Sequence, residues 1–299
     1  MGRIAKYGIS YQGSKSRIAD EIMAILPSGK RFVDLFGGGG AMTHCAMLSG
    51  KYETFLYNDI NKLITDLFIG AINGKYKDER RIITKDEFHA QKNTDGYVKY
   101  IWSFGNNGNT YLWSNNIADI KIQACKMLTA ETLRNRRLEY RRFIKLVNEY
   151  RGGEISPQLK NLENLERLER LQSLQSLQSL QNLEVSNIDY RDYVYQEGDV
   201  VYCDVPYERI HGQKVKCYGV DFDSLAFYEW AKTRPYQVYF SSYEIFDDAF
   251  YCLPIKEISQ IIGSTTNKQK QVEYLYSNKP FKKTDYEQIT MLDVLGESK

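Results

Sequence analysis

A strand-like run, a glycine turn and a helix follow one another near the start of the chain, and they constrain its fold most strongly. Arg31–Phe36 is a short apolar run (RFVDLF), Gly37–Gly40 follow it directly, and AMTHCAMLSG then shows helical spacing up to Gly50. Thr54–Tyr57 (TFLY) repeats the strand pattern, and NKLITDLFIGAI repeats the helical one. This βαβα order predicts a parallel sheet flanked by helices.

The same pattern returns in the last third of the chain. Strand-like runs lie in LEVSNIDYRDY, DVVYCDVPY and QVYFSSYE, a helical pattern lies in FDSLAFYEWAK, and KQVEYLYSNKPF indicates a closing hairpin. Residues 16–26 predict a further helix before the first strand, with Ser16 as its N-cap. A length of 299 residues suits one large domain with an insertion, or two domains at most. We therefore predict one α/β domain from residues 1–72 and 185–299.

Composition and charge exclude some classes of protein. The five cysteines are scattered without a CxxC pair, which predicts neither a disulfide framework nor a zinc site. The N-terminus lacks an apolar signal core, and no segment approaches the roughly 20 apolar residues that span a bilayer. These features predict a soluble, cytoplasmic protein without a membrane partner. A net charge of +2 permits an anionic partner without requiring one.

The glycine turn is a candidate ligand site. A turn of this kind lets a ligand approach the backbone and the N-terminus of the following helix. Asp34 lies just before the turn, and Asp59 follows the next strand at the distance at which an acidic side chain commonly accepts hydrogen bonds from ribose hydroxyls. The pattern therefore indicates a nucleoside ligand. A turn that merely packs strand against helix, and a nicotinamide dehydrogenase, remain alternatives.

The tetrapeptide Asp204-Val205-Pro206-Tyr207 is the candidate catalytic motif. It follows an apolar strand, and open α/β sheets bind their ligands at the carboxyl ends of strands. Methylation of an amino group needs acceptors for the N–H hydrogens while the nitrogen lone pair faces the methyl donor. Asp204 and the Val205 carbonyl provide two acceptors, Pro206 biases Val205 towards extended geometry, and Tyr207 offers a ring for stacking on a base. An ordinary Pro-Tyr turn with an acidic cap is the alternative.

Residues 73–150 differ from the α/β pattern and predict an inserted domain. Between Lys121 and Arg151 the sequence contains nine Lys and Arg against three Glu. Arg134, Arg136 and Arg137 are candidates to neutralise phosphates, although a solvated helix face explains them equally well. Asn107–Gly108 lies between two aromatic runs and predicts a hairpin turn.

The segment 151–184 contains a low-complexity tract in which leucine recurs at every third position from Leu159 to Leu183. Each three-residue step on an α-helix falls about 60° short of a full turn, so a straight α-helix cannot place these leucines on one face. A 3₁₀-helix would align them, but such helices are short. We favour a variable, partly helical spacer over a DNA-reading element or a solenoid-like packing unit.

On these motifs the chain resembles the adenine-specific DNA methylases of the Dam class, over nearly its whole length. The family's opening aromatic-x-Gly-x-Lys segment, its FxGxG turn and its catalytic tetrapeptide occur here in the same order. The resemblance assigns cofactor contacts to Tyr11, Gln12, Gly13, Lys15, Asp34, Phe36, Gly38, Gly40, Asp59, Asp189 and Tyr190. It places a DNA-inserting hairpin around residues 106–113, with Asn106, Asn107, Asn109 and Tyr111 as candidate DNA contacts.

The resemblance implies a Rossmann-like, S-adenosylmethionine-dependent methyltransferase fold with a mainly parallel seven-stranded sheet and a DNA-recognition insertion. It implies transfer of a methyl group from S-adenosylmethionine to the N6 atom of an adenine flipped out of double-stranded DNA, without a metal. The family setting also suggests a monomer or dimer, and a restriction-modification or phage origin. Val205 stands where the family usually has proline, and it lacks the locked φ of proline.

Two further alternatives remain at this stage. In the first, the chain is an inactive DNA-binding relative, which keeps the basic insertion although Val205 has inactivated the catalytic motif. A methylase acting on RNA, or on a glutamine or asparagine side-chain amide, would keep the chemistry. The aromatic and basic insertion favours a nucleic acid over a protein substrate.

Overall fold

The computed structural model describes residues 6–150, 162–179, 182–206, 215–217, 220–243, 245, 247, 249–261 and 268–282. The chain divides into two compact units. The sheet unit comprises residues 6–8, 13–65 and the chain from residue 179 onwards. The helical unit comprises residues 9–12 and 66–178.

The sheet unit contains a seven-stranded sheet in the order β3-β2-β1-β4-β7-β9-β8. The strands β3, β2, β1, β4 and β7 are parallel, whereas β9 runs antiparallel to both of its neighbours. The predicted mainly parallel seven-stranded sheet is therefore confirmed. The strands of the described chain are β1 Arg31–Asp34, β2 Thr54–Asn58, β3 Leu183–Ser186, β4 Asp199–Cys203, β5 Val215–Cys217, β6 Val220–Phe222, β7 Val238–Ser242, β8 Tyr251–Ile261 and β9 Lys268–Ser277, of which β5 and β6 form a separate antiparallel pair.

The helices follow the strands where the sequence predicts them in the sheet unit. The α-helices of the described chain are α1 Ala19–Ile25, α2 Ala41–Ser49, α3 Lys62–Ile72, α4 Lys85–Gln91, α5 Asn115–Leu128, α6 Leu133–Glu149, α7 Glu163–Ser173 and α8 Ser224–Lys232. Gly40 and Gly50, both with positive φ, bound α2 as the glycine pattern predicts. Among the described residues, no helix combines the length and the apolar character that crossing a membrane requires.

The two faces of the sheet have different environments. Leu56, Val33, Val201 and Val238 pair across four neighbouring strands and belong to one apolar cluster, which α8 covers with Phe227, Trp230 and Ala231. Side chains alternate along a strand, so Asp34 and its partner Tyr202 lie on the opposite face. Thr43 of α2 bonds to Asp34, which places α2 on that face. Helices thus cover both sides of the sheet.

The start of the first helix differs from the prediction. A short 3₁₀-helix, Lys15–Arg17, precedes α1, and Ser14 rather than Ser16 caps it. The prediction that Ser16 is the N-cap is wrong, because its buried hydroxyl accepts a hydrogen bond of 2.8 Å from the Tyr7 amide. That bond ties the N-terminal segment to the helix start.

The predicted hairpin turn at Asn107–Gly108 is also wrong in its register. Ser103 and Tyr111 form an isolated antiparallel bridge, so the two aromatic runs do face each other, but a longer loop joins them. Asn107 has a φ of −87°, and the positive φ values fall on Gly105, Asn106 and Gly108. The amide of Asn109 donates to the Asn107 side chain, which stabilises the loop.

The leucine tract packs into the helical unit. The described part changes from the α-helix α7 to a 3₁₀-helix at Leu174–Ser179. Leu171, Leu174 and Leu177 are fully buried. The change of helix type explains this, because three residues make one turn of a 3₁₀-helix and successive leucines then share a face. Our preference for a spacer is wrong for residues 162–179, which form part of a packed core.

Candidate active site

The glycine turn is held by the end of β2. The Gly38 amide donates to Asp59 Oδ2 at 2.8 Å, and the Asn61 amide donates to Asp59 Oδ1 at 2.8 Å. The Tyr57 hydroxyl donates to the Gly38 carbonyl at 2.7 Å. Gly38 and Gly40 have φ of 48° and 72°, conformations that glycine adopts without strain. Asp59 therefore organises the turn, as well as being the candidate ligand for ribose.

Asp34 ends β1 directly before this turn. It is 1% exposed, and its Oδ2 accepts a hydrogen bond of 2.8 Å from Thr43. Its Oδ1 is buried and has no hydrogen-bond partner in the part of the chain that the structure describes. Burial raises the pKa of Asp34 to about 7, and the charges of Asp204 and Asp59 add to that rise, although the Thr43 hydrogen bond opposes it. A buried carboxylate oxygen without a partner is costly unless a ligand satisfies it.

Asp204 lies directly after β4, the strand beside β1. This is the point where the strand order reverses, at which open α/β sheets bind their ligands. Asp204 forms an ion pair with Lys15, whose side chain is 7% exposed. Burial raises the pKa of Asp204 to about 6, and Lys15 opposes that rise. The structure thus brings Lys15, Asp34 and Asp204 into one region of the sheet unit.

The rest of the candidate tetrapeptide is partly described. Val205 is 2% exposed and belongs to the apolar cluster that includes Phe227 and Phe240. Its side chain therefore anchors the backbone at the position where the family usually has proline. Pro206 is half-buried, and Tyr207 lies outside the described residues.

One comparison with known proteins identifies the class of this chain. Residues 11–227 match the family described as D12 class N6 adenine-specific DNA methyltransferase, which covers more than two thirds of the chain. The chain belongs to this family. It is an adenine-specific DNA methyltransferase, and the dehydrogenase and protein-amide interpretations are therefore wrong. No curated protein matches the chain.

Packed aromatic side chains lie next to the glycine turn of the methyltransferase. Phe36 and Tyr190 pack with ring centroids 5.3 Å apart, and both contact Phe227 of α8. Asp189 caps the short 3₁₀-helix that contains Tyr190, and Arg191 holds its carboxylate through two side-chain hydrogen bonds of 2.7 Å. Hydrogen bonding by Arg191 lowers the pKa of Asp189. Phe36 and Tyr190, predicted separately from the sequence, are thus neighbours.

The predicted N-terminal cofactor segment is split between the two units. Gly13 and Lys15 belong to the sheet unit, where Lys15 Nζ donates to the Gly13 carbonyl at 3.1 Å. Tyr11 and Gln12 belong to the helical unit, where Tyr11 packs edge-on against Tyr100 at 5.2 Å. The cofactor contacts of Tyr11 and Gln12 stay predictions.

The candidate DNA residues of the methyltransferase all lie in the helical unit. Arg134, Arg136 and Arg137 are exposed on α6, a helix that buries none of its residues. Asn106 donates to the Tyr100 carbonyl at 2.8 Å, and the Asn109 side chain is exposed. Tyr111 differs from these, because it is 4% exposed and its hydroxyl donates to the Ile83 carbonyl at 2.7 Å.

Tyr111 is buried, and its predicted contact with DNA stays a prediction. A buried ring with a satisfied hydroxyl supports the loop from within. DNA contact by Asn106, Asn107 and Asn109 stays a prediction.

Two residues of the site were missed at the level of sequence. Thr43 of α2 bonds to Asp34, and its place three residues into a helix after the glycine turn is a signal that could have indicated it. Glu273 of β9 is 3% exposed and lies 3.8 Å from Lys15 Nζ. Only the strand pairing reveals this second contact, because β9 lies far along the chain and beyond the residues that match the family.

Proposed function

We propose that this methyltransferase takes its methyl group from S-adenosylmethionine and acts on an adenine turned out of double-stranded DNA. The observation that supports the proposal most strongly is the position of Asp204 and Asp34 at the ends of two neighbouring parallel strands. One carboxylate is then available to the acceptor base and the other to the cofactor.

The residues around the glycine turn fit the cofactor. Asp34 Oδ1 is a buried acceptor that has no hydrogen-bond partner among the described residues, and it suits an ammonium group. The turn leaves backbone next to the N-terminus of α2 open to a ligand, since Gly40 caps that helix without a side-chain bond. Phe36 and Tyr190 offer aromatic surface, and Asp59 retains acceptor capacity for ribose hydroxyls. When bound, S-adenosylmethionine supplies a methyl group carried on a positively charged sulfur.

Asp204 and the Val205 carbonyl act on the amino group of adenine. The ionised carboxylate of Asp204 accepts a hydrogen bond from one N–H, and the Val205 carbonyl accepts from the other. These two acceptors favour a tetrahedral nitrogen, which withdraws its lone pair from the ring π system and leaves it free to face the methyl donor. As the nitrogen–carbon bond forms, the nitrogen must lose one proton, and Asp204 is the nearest base in this arrangement.

Lys15 keeps Asp204 ionised, as a hydrogen-bond acceptor and base must be. Burial favours the neutral form of Asp204, whereas the ammonium group favours the ionised form. Burial also acts to lower the pKa of Lys15, but the charges of Asp204 and Glu273 outweigh it and the pKa of Lys15 is raised. Lys15 therefore stays protonated, and it maintains the charge on Asp204 at neutral pH.

We assign DNA recognition to the helical unit, which largely coincides with the predicted insertion at 73–150. The exposed arginines of α6 suit the phosphate backbone, which supplies much of the affinity of DNA-binding proteins. The loop closed by Ser103 and Tyr111 presents Phe104, which is 64% exposed, and the polar side chain of Asn109. A base within a duplex cannot reach a pocket at the sheet, so the target adenine must be flipped out. Tyr207 is the proposed stacking partner of that base.

The test of this proposal is methyl incorporation by the purified wild-type chain. S-Adenosylmethionine with a deuterated methyl group is offered together with duplex DNA, with RNA of the same sequence, or with a protein extract, and the products are hydrolysed and analysed by mass spectrometry. We expect deuterated N6-methyladenine from duplex DNA. A preference for RNA, or cofactor binding without incorporation into any substrate, would contradict the proposal.

A further inference from the structure

The ammonium group of Lys15 lies between two carboxylates. Asp204 forms the closer ion pair, and Glu273 Oε1 lies 3.8 Å from the same Nζ atom. The side chains of Lys15 and Glu273 are only 7% and 4% exposed. Lys15 also donates to the Gly13 carbonyl at 3.1 Å. Among the described residues, Lys15 Nζ therefore has two carboxylates and one carbonyl oxygen near it.

Among the described residues, two carboxylates lie close to one ammonium group in this cluster. Burying a charge without a partner is costly, and Lys15 gives both Asp204 and Glu273 a positive neighbour. In the mechanism proposed above, Glu273 acts only through its charge, which helps to keep Lys15 protonated. Glu273 is 3% exposed and lies 3.8 Å from Lys15 Nζ, so it also bears on how the lysine is held during the reaction.

The reaction requires Asp204 to make a second contact. Asp204 is paired with Lys15, yet it must also accept a hydrogen bond from adenine. A lysine with a second carboxylate nearby can shift by a small distance and keep a charged partner. Without the second carboxylate, the same shift would leave a buried ammonium poorly paired.

We propose that Glu273 is a positioning residue for methyl transfer, which holds the Lys15 ammonium while Asp204 turns its carboxylate towards the adenine amino group. This inference rests on the proposed roles of Asp204 and S-adenosylmethionine. Glu273 acts through Lys15, and it does not touch the substrate.

The charges of this cluster make the methylation rate of a Glu273 variant depend on pH in a predictable way. Asp204 faces Lys15, Glu273 and the hydroxyl-bearing Ser241 and Tyr202, Asp34 adds its charge from β1, and Tyr243 acts on Lys15. Glu273 raises the pKa of Asp204 and also that of Lys15. Removing its charge must therefore lower both. The acid limb of the rate profile then moves to lower pH, even though the rate on the plateau falls.

The experiment compares single-turnover methylation by the wild type with that by Glu273→Gln and Glu273→Asp, across pH 5 to about 9. Glu273→Gln keeps the shape of the side chain and removes its charge. We expect it to slow the plateau rate by about 10- to 100-fold, as small misplacements of reacting groups do. Its acid limb moves to lower pH, and S-adenosylmethionine binding measured by calorimetry stays within about threefold of the wild type. Glu273→Asp recovers part of the rate because it restores the charge.

The control variant is Glu197→Gln, which removes one charge from an exposed site and is expected to match the wild type.

Coupling is tested in a Lys15→Gln background, where adding Glu273→Gln is expected to slow the enzyme no further. An unmoved acid limb for Glu273→Gln, or losses that multiply in the double variant, would overturn the inference. If Glu273→Gln fails to fold, Glu273→Asp gives the same test, with a smaller shift in the same direction. Absence of adenine methylation by the wild type would instead count against the proposed function.

Discussion

Buried Lys15 forms an ion pair with the partly buried Asp204, although nearly two thirds of the chain separates them in sequence. Lys15 lies in the 3₁₀-helix before α1, and Asp204 lies directly after β4. The pairing brings the N-terminal motif to the catalytic tetrapeptide within the sheet unit. It also gives the proposed base a positive neighbour that keeps it ionised.

Asp34→Asn is expected to stabilise the protein while weakening its binding of S-adenosylmethionine. The pKa of Asp34 rises from 3.8 to about 7 on folding because the carboxyl is buried. The folded state thus binds this proton more tightly than the unfolded state, so the cost to stability is complete above about pH 7 and absent below about pH 4. At 1.36 kcal/mol for each pKa unit, the gain at pH 8 is about 4 kcal/mol at most.

Urea unfolding of Asp34→Asn and the wild type at pH 8 and pH 5 measures this difference. The stabilisation should be larger at pH 8. If Asp34→Asn changes the free energy of unfolding by the same amount at pH 8 and pH 5, the charge of the buried carboxylate does not destabilise the protein. If the variant binds S-adenosylmethionine as tightly as the wild type does, Asp34 is not part of the cofactor site.

Val205→Ala is expected to lower stability and to slow methyl transfer more than it weakens cofactor binding. Removing buried methyl groups from the apolar cluster costs about 2 kcal/mol. The backbone carbonyl also loses the anchor that replaces the proline ring of the family. Thermal unfolding and single-turnover rates measure the two effects. The matched control is Val194→Ala, since Val194 is 77% exposed and should tolerate the change. Identical behaviour of the two variants would contradict the anchoring role.

Leu174→Ala is expected to destabilise the helical unit by about 2–5 kcal/mol, the usual range for a fully buried leucine. Leu168→Ala, from the same repeat, should cost less because Leu168 is only half-buried. Denaturant unfolding followed by tryptophan fluorescence compares them, since the buried Trp102 and Trp113 lie in this unit. Equal losses would mean that the tract does not switch from α- to 3₁₀-helix in solution.

Replacing Arg134, Arg136 and Arg137 together by Gln is expected to weaken DNA binding and to reduce its salt dependence. Each phosphate contact contributes a slope of about 0.9 in a plot of log K against log salt concentration. The triple variant should therefore lose up to about 3 in slope. A variant in which Lys75, Lys77 and Arg80 become Gln removes the same charge from the same unit. If both variants lose the same slope, net charge rather than α6 carries the effect.

Much of the sheet unit could be predicted from the sequence because its signals are local. The glycines that bound α2 and the apolar run before Asp34 specify β1, the turn and the helix directly. The alternating and helical patterns likewise indicate β4 and α8. Asp204 was identifiable because its tetrapeptide follows a strand.

The remaining features depend on contacts that a linear pattern does not contain. Serine is a common N-cap residue, but the Ser16 hydroxyl instead accepts a hydrogen bond from the Tyr7 amide. The leucine tract suggested a spacer because a three-residue period does not fit an α-helix, and the 3₁₀ ending that resolves the conflict is a rare solution. Glu273 enters the site through antiparallel pairing of β9 with β7, which no motif predicts.

The most direct measurement is the modification of DNA in cells that express the wild type, Asp204→Asn or Asp204→Ala, read by long-read sequencing. Asn has nearly the same shape as Asp but cannot take a proton or supply a negative charge. We expect N6-methyladenine at a recurring sequence with the wild type and a loss of at least about 100-fold in both variants, while each still binds S-adenosylmethionine. Modification by Asp204→Ala at the wild-type level would contradict the central claim that Asp204 receives the adenine amino group.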